Sequence, residues 1–482
     1  MKLKELLQGL KILSATADLE MEILDISYDS RKTKCGDLFV AMTGFAVDGH
    51  TFISKAAAAG AAAVLCEKIP EEPIPYVQVA DSRRALAVLG ANWFGHPADD
   101  MTMVGITGTN GKTTTTYLLK AILESAAGAK VGLIGTNQNM IGEEVIPTER
   151  TTPESFEVQR LFAQMRDAGC THVVMEVSSH ALVLDRVYGV HYDVGVFTNL
   201  TQDHLDFHNT MEEYCDAKAI LFRNCKTGVY NADDAWSQRL MANSTCEVLS
   251  YGVKNDAALR AEDLSLEADH IAFTAVTDEK RVPIWVGIPG RFMVYNTLDV
   301  LGAALALGVS LEQSAQVLAT VSPVKGRVEV VPTPGKDYTI LVDYAHSPDG
   351  LENVLRSVKD FSKGRTVALF GCGGDRDRTK RPKMGKVAAA IADFVVVTTD
   401  NPRTEKPADI IADILPGMEG GAPYVVVEDR IEAIHYCMDH AQKDDVIVLC
   451  GKGHETYQEI NHVKYHMDER EIVAEYLNEQ KK

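Results

Sequence analysis

The sequence predicts an α/β protein of three domains, and three observations carry that reading. The chain has 482 residues, more than one hydrophobic core usually organises. Strand-like and helical segments alternate from Met101 to about 330, and again after the Pro/Gly-rich stretch 332–335; such alternation implies largely parallel sheets with helices on both faces. A glycine-rich loop, Gly108 to Thr114, sits between the first strand and the first helix of the earlier run.

In chain order, residues 1–98 hold short strand-like runs at 37–41 and 62–65 around an Ala-rich helical stretch at 53–61, a small α/β unit. Gly95, Pro97 and the polar residues beside them punctuate the chain, which sets the first boundary at 98/99. Within 99–331, strand-like runs at 103–107, 131–134 and 173–177 alternate with helical stretches at 114–124 and 154–168. Alternating residues at 264–286 read as added antiparallel strands, followed by helical stretches at 295–307 and 311–320. The segment 332–335 suits a linker or turn. Beyond it, in 332–482, strand-like runs at 338–342, 367–370, 394–398, 424–427 and 446–449 alternate with helices, which makes a second doubly wound, Rossmann-like domain.

Composition excludes several classes. Hydrophobic residues at 46% and charged residues at 24% match a packed globular protein. A net charge of -20 argues against a broad nucleic-acid surface, because phosphate backbones are held by clustered Lys and Arg. The nine cysteines show neither a C-x-x-C pair nor zinc-ligand spacing, which fits a reducing compartment. Charges interrupt the N-terminal run MKLKELLQGLKIL, and nothing downstream approaches about 18 uninterrupted apolar residues. A cytoplasmic protein without membrane insertion is expected, and a monomer.

The loop Gly108-Thr109-Asn110-Gly111-Lys112-Thr113-Thr114 carries the first chemistry. A helix N-terminus offers unpaired N–H groups and partial positive charge, so glycines that let backbone wrap a polyphosphate belong just before it. Lys112 is placed to reach the β- and γ-phosphates of ATP, and the hydroxyl of Thr113 or Thr114 to meet Mg2+. The strict G-x-x-x-x-G-K-[ST] spacing is not met, since Ile106 stands where the first glycine belongs. The central domain thus reads as a P-loop parallel-sheet ATPase domain. Kinases, motors and ligases all use such loops, so the loop alone does not name a reaction.

The loop resembles that of the Mur ligase family, and further segments match that family in order over nearly the whole chain. They are Met175 to His180, Thr198 to Asp206, Asp216-Ala217-Lys218, Tyr295-Asn296, Gly326-Arg327, Asp343 to Pro348 and Gly451 to Glu455. The resemblance implies an N-terminal domain for a uridine nucleotide, a central ATPase domain and a C-terminal domain that brings an amino acid. It also implies that ATP phosphorylates a substrate carboxylate and that an amine attacks the acyl phosphate. Asp29-Ser30-Arg31, Gly36 to Val40 and Thr151-Thr152-Pro153 are similar to the branch that extends UDP-N-acetylmuramoyl-L-alanyl-D-glutamate by the third amino acid of the peptidoglycan stem.

Roles follow from that resemblance. It implies catalytic roles for Lys112, Glu176, His204 and Lys218, with Lys218 as a carbamate that joins Thr113, Glu176 and His204 around Mg2+. Glu176 and His204 stand at the ends of strand-like runs, where side chains can project to a metal at a doubly wound site. Taken alone, Lys218 lies in an amphipathic stretch where a lysine is ordinarily solvated. Gly108, Thr109, Asn110, Gly111, Lys112, Thr113 and Thr114 match ATP contacts within the loop, and Asn296, Arg327 and Asp343 match contacts outside it. Tyr344 and His346 shape the site. Ser30, Thr151, Thr152, Ser178 and Arg186 match contacts to the UDP-muramoyl dipeptide; Leu184 departs from a glutamine found in some relatives.

Asp400, Asn401, Pro402 and Arg403 match the motif associated with meso-diaminopimelate, and lysine-adding relatives lack the arginine. A guanidinium fork can hold the distal carboxylate of diaminopimelate, which lysine does not have. Arg376, Gly451 and Glu455 match further contacts to that amino acid. The rest of the basic run, Arg378, Lys380, Arg381 and Lys383, reads as a solvated loop. The alternatives are a lysine-adding member, a ligase of the folylpolyglutamate type or one adding the terminal dipeptide, and, more remotely, a P-loop kinase or ATPase without ligase activity.

Overall fold

The computed structural model describes residues 1–44, 47–71, 73–148, 150–242, 244–267, 269–321 and 324–479, without the side chain of Asp206. The chain forms two compact units. The first takes in Met1–Leu200, His204–Tyr230 and Asp234–Leu249, and the second Thr201–Asp203, Asn231–Asp233 and Ser250–Lys482.

The first unit begins with a five-stranded sheet in the order Ser14–Ala15, Tyr76–Gln78, Ala63–Cys66, Leu38–Val40, Ile26–Ser27. Only the Ser14–Ala15 edge is antiparallel. Leu38–Val40 and Ala63–Cys66 are buried at every position, which is why they read as unbroken apolar runs rather than alternating ones. Helix Ser82–Phe94 starts where the Asp81 carboxylate accepts from the N–H groups of Arg83 and Arg84, and stops at Gly95 with φ +70°. It packs on helix Ser155–Asp167, with the rings of Phe94 and Phe156 5.4 Å apart.

Five parallel strands of this unit follow in the order Val131–Ile134, His172–Glu176, Thr102–Thr107, Tyr192–Phe197, Cys225–Asn231. An antiparallel hairpin, Asn139–Ile141 with Glu144–Ile146, extends the first edge. Helix Lys112–Ala127 outruns the predicted stretch at both ends and closes on Gly128 in the left-handed region. Met103, Phe162, Met165, Val173, Met175 and Leu221 form the apolar layer beneath one face; truncating a buried Phe such as Phe162 would cost about 3–5 kcal/mol.

In the second unit, Leu259–Leu266, Ile271–Val276 and Arg281–Val286 pair antiparallel, as predicted. Residues 281–286 alternate strictly between exposed and buried, the signature of a sheet with one wet face. Helices Arg291–Ala306 and Leu311–Leu318 cover the other face. A six-stranded sheet follows in the order Glu329–Val331, Thr339–Asp343, Val446–Cys450, Thr366–Phe370, Phe394–Val397, Tyr424–Val426. All neighbours are parallel except the first pair. Successive residues feed separate cores, Leu341 and Val448 one, and Ile340, Val342 and Ile447 the other. That alternation is what helices on both faces demand.

The segment Pro332 to Gly335 is the turn between Glu329–Val331 and its antiparallel partner Thr339–Asp343, so it closes a hairpin within one sheet and is not a linker. A second hairpin, Tyr457–Ile460 with Val463–His466, has no counterpart in the sequence reading. Among the described residues, no helix is long and apolar enough to cross a membrane.

Candidate active site

Register places the first cluster of residues. Ile106 lies opposite Glu176 and Thr107 opposite Phe197, so Gly108, Glu176 and Thr198 emerge together at the carboxyl ends of adjacent parallel strands. Ligands of open α/β sheets bind at such ends. Gly108 has φ +150°, and a Cβ there would lie 1.9 Å from Thr198 Oγ1, so only glycine fits. The loop is tied down by Thr109 N–H donating to the Asn199 carbonyl (2.8 Å), Asn110 N–H to Asn199 Oδ1 (3.0 Å), and Thr198 Oγ1 to the Asn110 carbonyl (2.6 Å). Gly111, also left-handed, is the N-cap of helix Lys112–Ala127. Lys112 Nζ donates to the carbonyls of Gly108 (2.8 Å) and Thr109 (2.9 Å), so the ammonium is stored against the loop. Thr114 is buried in the first turn of the helix.

Glu176 is 1% exposed and accepts from Thr113 Oγ1, from Thr136 N–H and from Thr136 Oγ1, each at 2.9 Å. Thr136 Oγ1 in turn lies 3.0 Å from Thr151 Oγ1. Thr152 Oγ1 donates to the Glu176 carbonyl (2.8 Å) and accepts from Ser178 N–H (3.1 Å), while Ser178 Oγ caps the next helix through Ala181 N–H. Arg186 Nη1 donates to the Thr152 carbonyl (3.1 Å), and burial draws its guanidinium below the usual arginine range. The structure therefore brings Thr113, Thr151, Thr152, Glu176, Ser178 and Arg186 into one connected set. Ser30 lies elsewhere in the unit, in the turn that follows strand Ile26–Ser27.

Lys218 is 1% exposed, not solvated. Its Nζ donates to the Gly108 carbonyl (2.9 Å) and sits 4.4 Å from the centre of the Tyr214 ring. Helix Met211–Phe222 thus presents a buried cation to the same carbonyl that Lys112 holds. His204 is not at a strand end as the sequence suggests. The strand stops at Phe197, because Thr198 and Asn199 turn beneath the loop, and His204 begins a short helix with φ +53°. Its ring stands 4.9 Å from His180 and 6.2 Å from Tyr214, so His204 and Lys218 share Tyr214 as neighbour. His208 Nε2 lies 2.8 Å from Ser179 Oγ. Burial, then the nearby His180 and Lys218, push the His208 imidazole down to about 4.

The residues fit a hard cation. Thr113 Oγ1 and Glu176 Oε1 are oxygen donors 2.9 Å apart beside the phosphate loop. Mg2+ takes one or two carboxylates and fills its remaining positions with water and substrate phosphates. Among the described residues no group of three His, Cys, Asp or Glu could hold a metal ion by itself.

In the second unit, Asn296 is buried in helix Arg291–Ala306, where Tyr295 OH donates to Asp233 (2.9 Å). Asp343 ends strand Thr339–Asp343 and accepts from Val328 N–H (2.9 Å) and Ala345 N–H (2.8 Å). Burial pushes the Asp343 carboxyl up, and Arg327 holds it back. Arg327 lies over the Tyr344 ring, 5.3 Å from its centre, and its Nε is buried without a hydrogen-bond partner among the described residues. Tyr344 also packs on His346 and His454.

The C-terminal residues lie at the ends of three neighbouring strands of the six-stranded sheet. Asn401 Nδ2 donates to Glu455 Oε2 (2.9 Å), and Lys452 Nζ donates to Asn401 Oδ1 (2.6 Å) and Glu455 Oε2 (3.0 Å). A Cβ on Gly451 would lie 2.4 Å from Asp400 Oδ2. Arg403 has φ +50°; its Nε donates to Glu459 Oε2 (3.1 Å) and its Nη1 to the Gly374 carbonyl (2.9 Å). The Pro402 carbonyl packs where a Cβ on Gly374 would be. Arg376 is exposed and touches the backbone of Asp375.

One expectation fails here. Lys380, Arg381 and Lys383 belong to helix Lys380–Ile391, and Arg381 is fully buried. Its Nη1 and Nη2 take both oxygens of Glu405 (2.9 and 2.8 Å), and Nη1 also takes Asp413 (2.8 Å). A buried guanidinium is tolerated because two carboxylates meet it, and the Glu405 carboxyl is drawn down to about 2 by that contact.

Family models match the chain in three pieces: Mur ligase family, catalytic domain, over residues 22–98; Mur ligase middle domain over 106–304; and Mur ligase, glutamate ligase domain, over 326–453. A relative from Clostridium acetobutylicum, UDP-N-acetylmuramoyl-L-alanyl-D-glutamate–2,6-diaminopimelate ligase 1, is 47% identical over 483 residues, 99% of this chain and 100% of its own. The chain belongs to the Mur ligase family. The ligase of the same name from Caldanaerobacter subterraneus is also 47% identical, over 486 residues and 100% of both chains. A solved structure of a UDP-N-acetylmuramoyl-L-alanyl-D-glutamate–2,6-diaminopimelate ligase matches this Mur ligase with a TM-score of 0.74 at 31% identity, covering 100% of this chain and 99% of that one. Folylpolyglutamate synthase from Mycobacterium tuberculosis shares the fold alone, with a TM-score of 0.61 at 17% identity over 76% of this chain and 92% of that one.

Sequence reasoning missed several residues that hold this Mur ligase's candidate site together. Thr136 is a polar residue just past a strand end, which is its only signal, whereas Asn199 lies inside the matching segment Thr198 to Asp206. Lys452, fully buried, lies inside the Gly451 to Glu455 segment, where sequence alone does not distinguish it from a solvated lysine. Arg430 is buried against Glu469 and donates to the carbonyls of Thr399 and Cys450, immediately before Asp400 and Gly451; nothing local marks it.

Proposed function

We propose that this Mur ligase adds meso-diaminopimelate to UDP-N-acetylmuramoyl-L-alanyl-D-glutamate at the expense of ATP, releasing ADP and phosphate, in the synthesis of peptidoglycan precursors. The observation that carries the reading is Arg403, held in a left-handed turn by Glu459 and the Gly374 carbonyl beside the paired Asn401 and Glu455. The names borne by relatives that match along their full length support the same reaction.

In this reading Gly108 to Thr114 wrap the phosphates, and Lys112 leaves its two carbonyls to neutralise the transferring phosphoryl group. Asn296, Arg327 and Asp343 hold the rest of the nucleotide. Ser30, Thr151, Thr152, Ser178 and Arg186 hold the acceptor, whose carboxylate becomes an acyl phosphate. Arg376, Asp400 to Arg403, Gly451 and Glu455 orient diaminopimelate, whose amine displaces phosphate and loses a proton as the amide forms. Bound Mg2+, held by Thr113, Glu176, His204 and a carbamate on Lys218, would offset the crowded anionic charge. Unmodified Lys218 is a cation, so carbamylation is what would make it an oxygen ligand; intact mass and a high-resolution map of bicarbonate-treated protein test this, and a bare amine beside the metal in both sinks it.

We divide the chain into the uridine-nucleotide domain 1–98, the ATPase domain from 99 and the amino-acid domain. The last boundary is drawn before Glu329 rather than after Val331, because Glu329–Val331 pairs with Thr339–Asp343. The enzyme is placed in the cytoplasm as a monomer. Phosphate release from ATP, measured with the UDP-muramoyl dipeptide and a panel of amino acids, tests the reaction. Strict dependence on acceptor and diaminopimelate is expected, and equal turnover of diaminopimelate and lysine would overturn the specificity.

A further inference from the structure

We propose that Arg381 is a positioning residue for amino-acid selection: it locks together the two loops that carry Arg376 and Arg403 and so sets the preference for an amino acid with a distal carboxylate. The inference rests on the reaction read above and assigns Arg381 no contact with substrate.

The loops are residues 371–379, after strand Thr366–Phe370, and 398–406, after strand Phe394–Val397. Arg381 reaches both. It grips Glu405 of the second loop through two parallel hydrogen bonds, and its Nη2 donates to the Gly373 carbonyl of the first (3.3 Å). Glu405 Oε1 also accepts from Asp375 N–H (2.6 Å), and the Asp375 carboxylate accepts from Thr404 N–H (3.2 Å) and Thr404 Oγ1 (2.7 Å). Gly374 N–H donates to the Asn401 carbonyl (2.9 Å).

The paired loops leave no slack. A Cβ on Gly374 would lie 1.9 Å from the Pro402 carbonyl oxygen, and one on Gly373 would lie 2.9 Å from Arg403 Nη1. A shift of the first loop therefore moves the Arg403 guanidinium, whose Nη1 hangs on the Gly374 carbonyl. A bidentate Arg–carboxylate pair also fixes direction as well as distance, which a lysine cannot do. Arg376 and Arg378 face solvent, whereas Arg381 is fully buried; the one basic residue of the run that is withheld from ligand and water is the one that ties the loops.

Removing this lock should weaken what the loops present, the contact to a distal carboxylate, and leave ATP and the acceptor alone. The experiment is steady-state kinetics of the full-length protein with ATP, the UDP-muramoyl dipeptide, and either diaminopimelate or lysine. For Arg381→Gln, KM for diaminopimelate is expected to rise about tenfold or more, with KM for ATP and acceptor within about twofold, and discrimination over lysine to fall by a similar factor. Arg381→Lys should recover part of that loss.

If Arg381→Gln does not fold, Glu405→Gln weakens the same lock from the other side and is expected to give the same split. A folded variant whose kcat falls while its diaminopimelate KM and its discrimination stay at the unmutated values would show a merely structural arginine and overturn the proposal. Absence of diaminopimelate turnover in the unmutated protein would instead overturn the reading of the reaction, before any variant is compared.

Discussion

The phosphate loop of the first unit and the Asp400–Arg403 loop of the second are both turns at the carboxyl ends of parallel strands, yet they hold their shapes by opposite means. The phosphate loop is shaped by backbone. Two left-handed glycines, a helix N-terminus and a lysine that folds back on its own loop define it within seven residues, with Thr198 and Asn199 as outside braces. The second loop is shaped by side chains drawn from distant segments, among them Arg381, Lys452 and Glu459. A site made of backbone N–H groups is specified locally and admits few substitutions. A site made of ion pairs can be tuned for one amino acid but depends on every loop that supplies a partner.

The sharpest way to break the comparison is Lys112→Ala. It should lower ATP-dependent turnover on the order of a thousandfold, while diaminopimelate binding, measured by calorimetry, persists. Loss of both together would mean that the two loops are not separable. Arg403→Ala should lower kcat/KM for diaminopimelate by about a hundredfold or more, since a distal carboxylate then meets no guanidinium. ATP binding should survive, and a matching loss of nucleotide affinity would refute the division of labour.

A smaller effect concerns stability near the phosphate loop. Burial lowers the His208 pKa from its ordinary 6.5 to about 4. The unfolded chain then binds a proton that the folded chain refuses between those values, so stability is complete above about pH 6.5 and is lost as pH falls towards 4. The loss attributable to this residue should be on the order of 1–3 kcal/mol. His208→Gln, which keeps a polar end for Ser179, should flatten the fall measured by denaturant unfolding at pH 7 and pH 4.5. An identical fall in the variant would assign it to other groups. The smallest effect is expected for Arg378→Ala. Arg378 pairs with the half-buried Asp413 from an exposed position, so stability should change by under about 0.5 kcal/mol and diaminopimelate kinetics by less than about twofold.

How much was legible follows the same division. Strand Val131–Ile134 was placed at its observed limits, and the antiparallel strands near 264–286 were anticipated, because periodicity in a sheet is a local property. The 332–335 stretch was open to two readings, since Pro and Gly suit a linker and a hairpin turn alike; only pairing of Glu329–Val331 with Thr339–Asp343 decides between them. Nothing local in the sequence says that Thr198 and Asn199 turn to brace the glycine-rich loop, so the strand-end position expected for His204 is not the observed one.

By itself the sequence determined the α/β class, the glycine-rich loop between strand and helix, and the family, because each rests on contiguous residues or on ordered motifs. Only the tertiary structure decided which basic residues are solvent and which are structure. Arg378 and Arg381 stand three apart in one basic run, and composition treats them alike. Folding exposes the first and buries the second between Glu405 and Asp413, because a guanidinium leaves water only where carboxylates from other segments arrive to receive it.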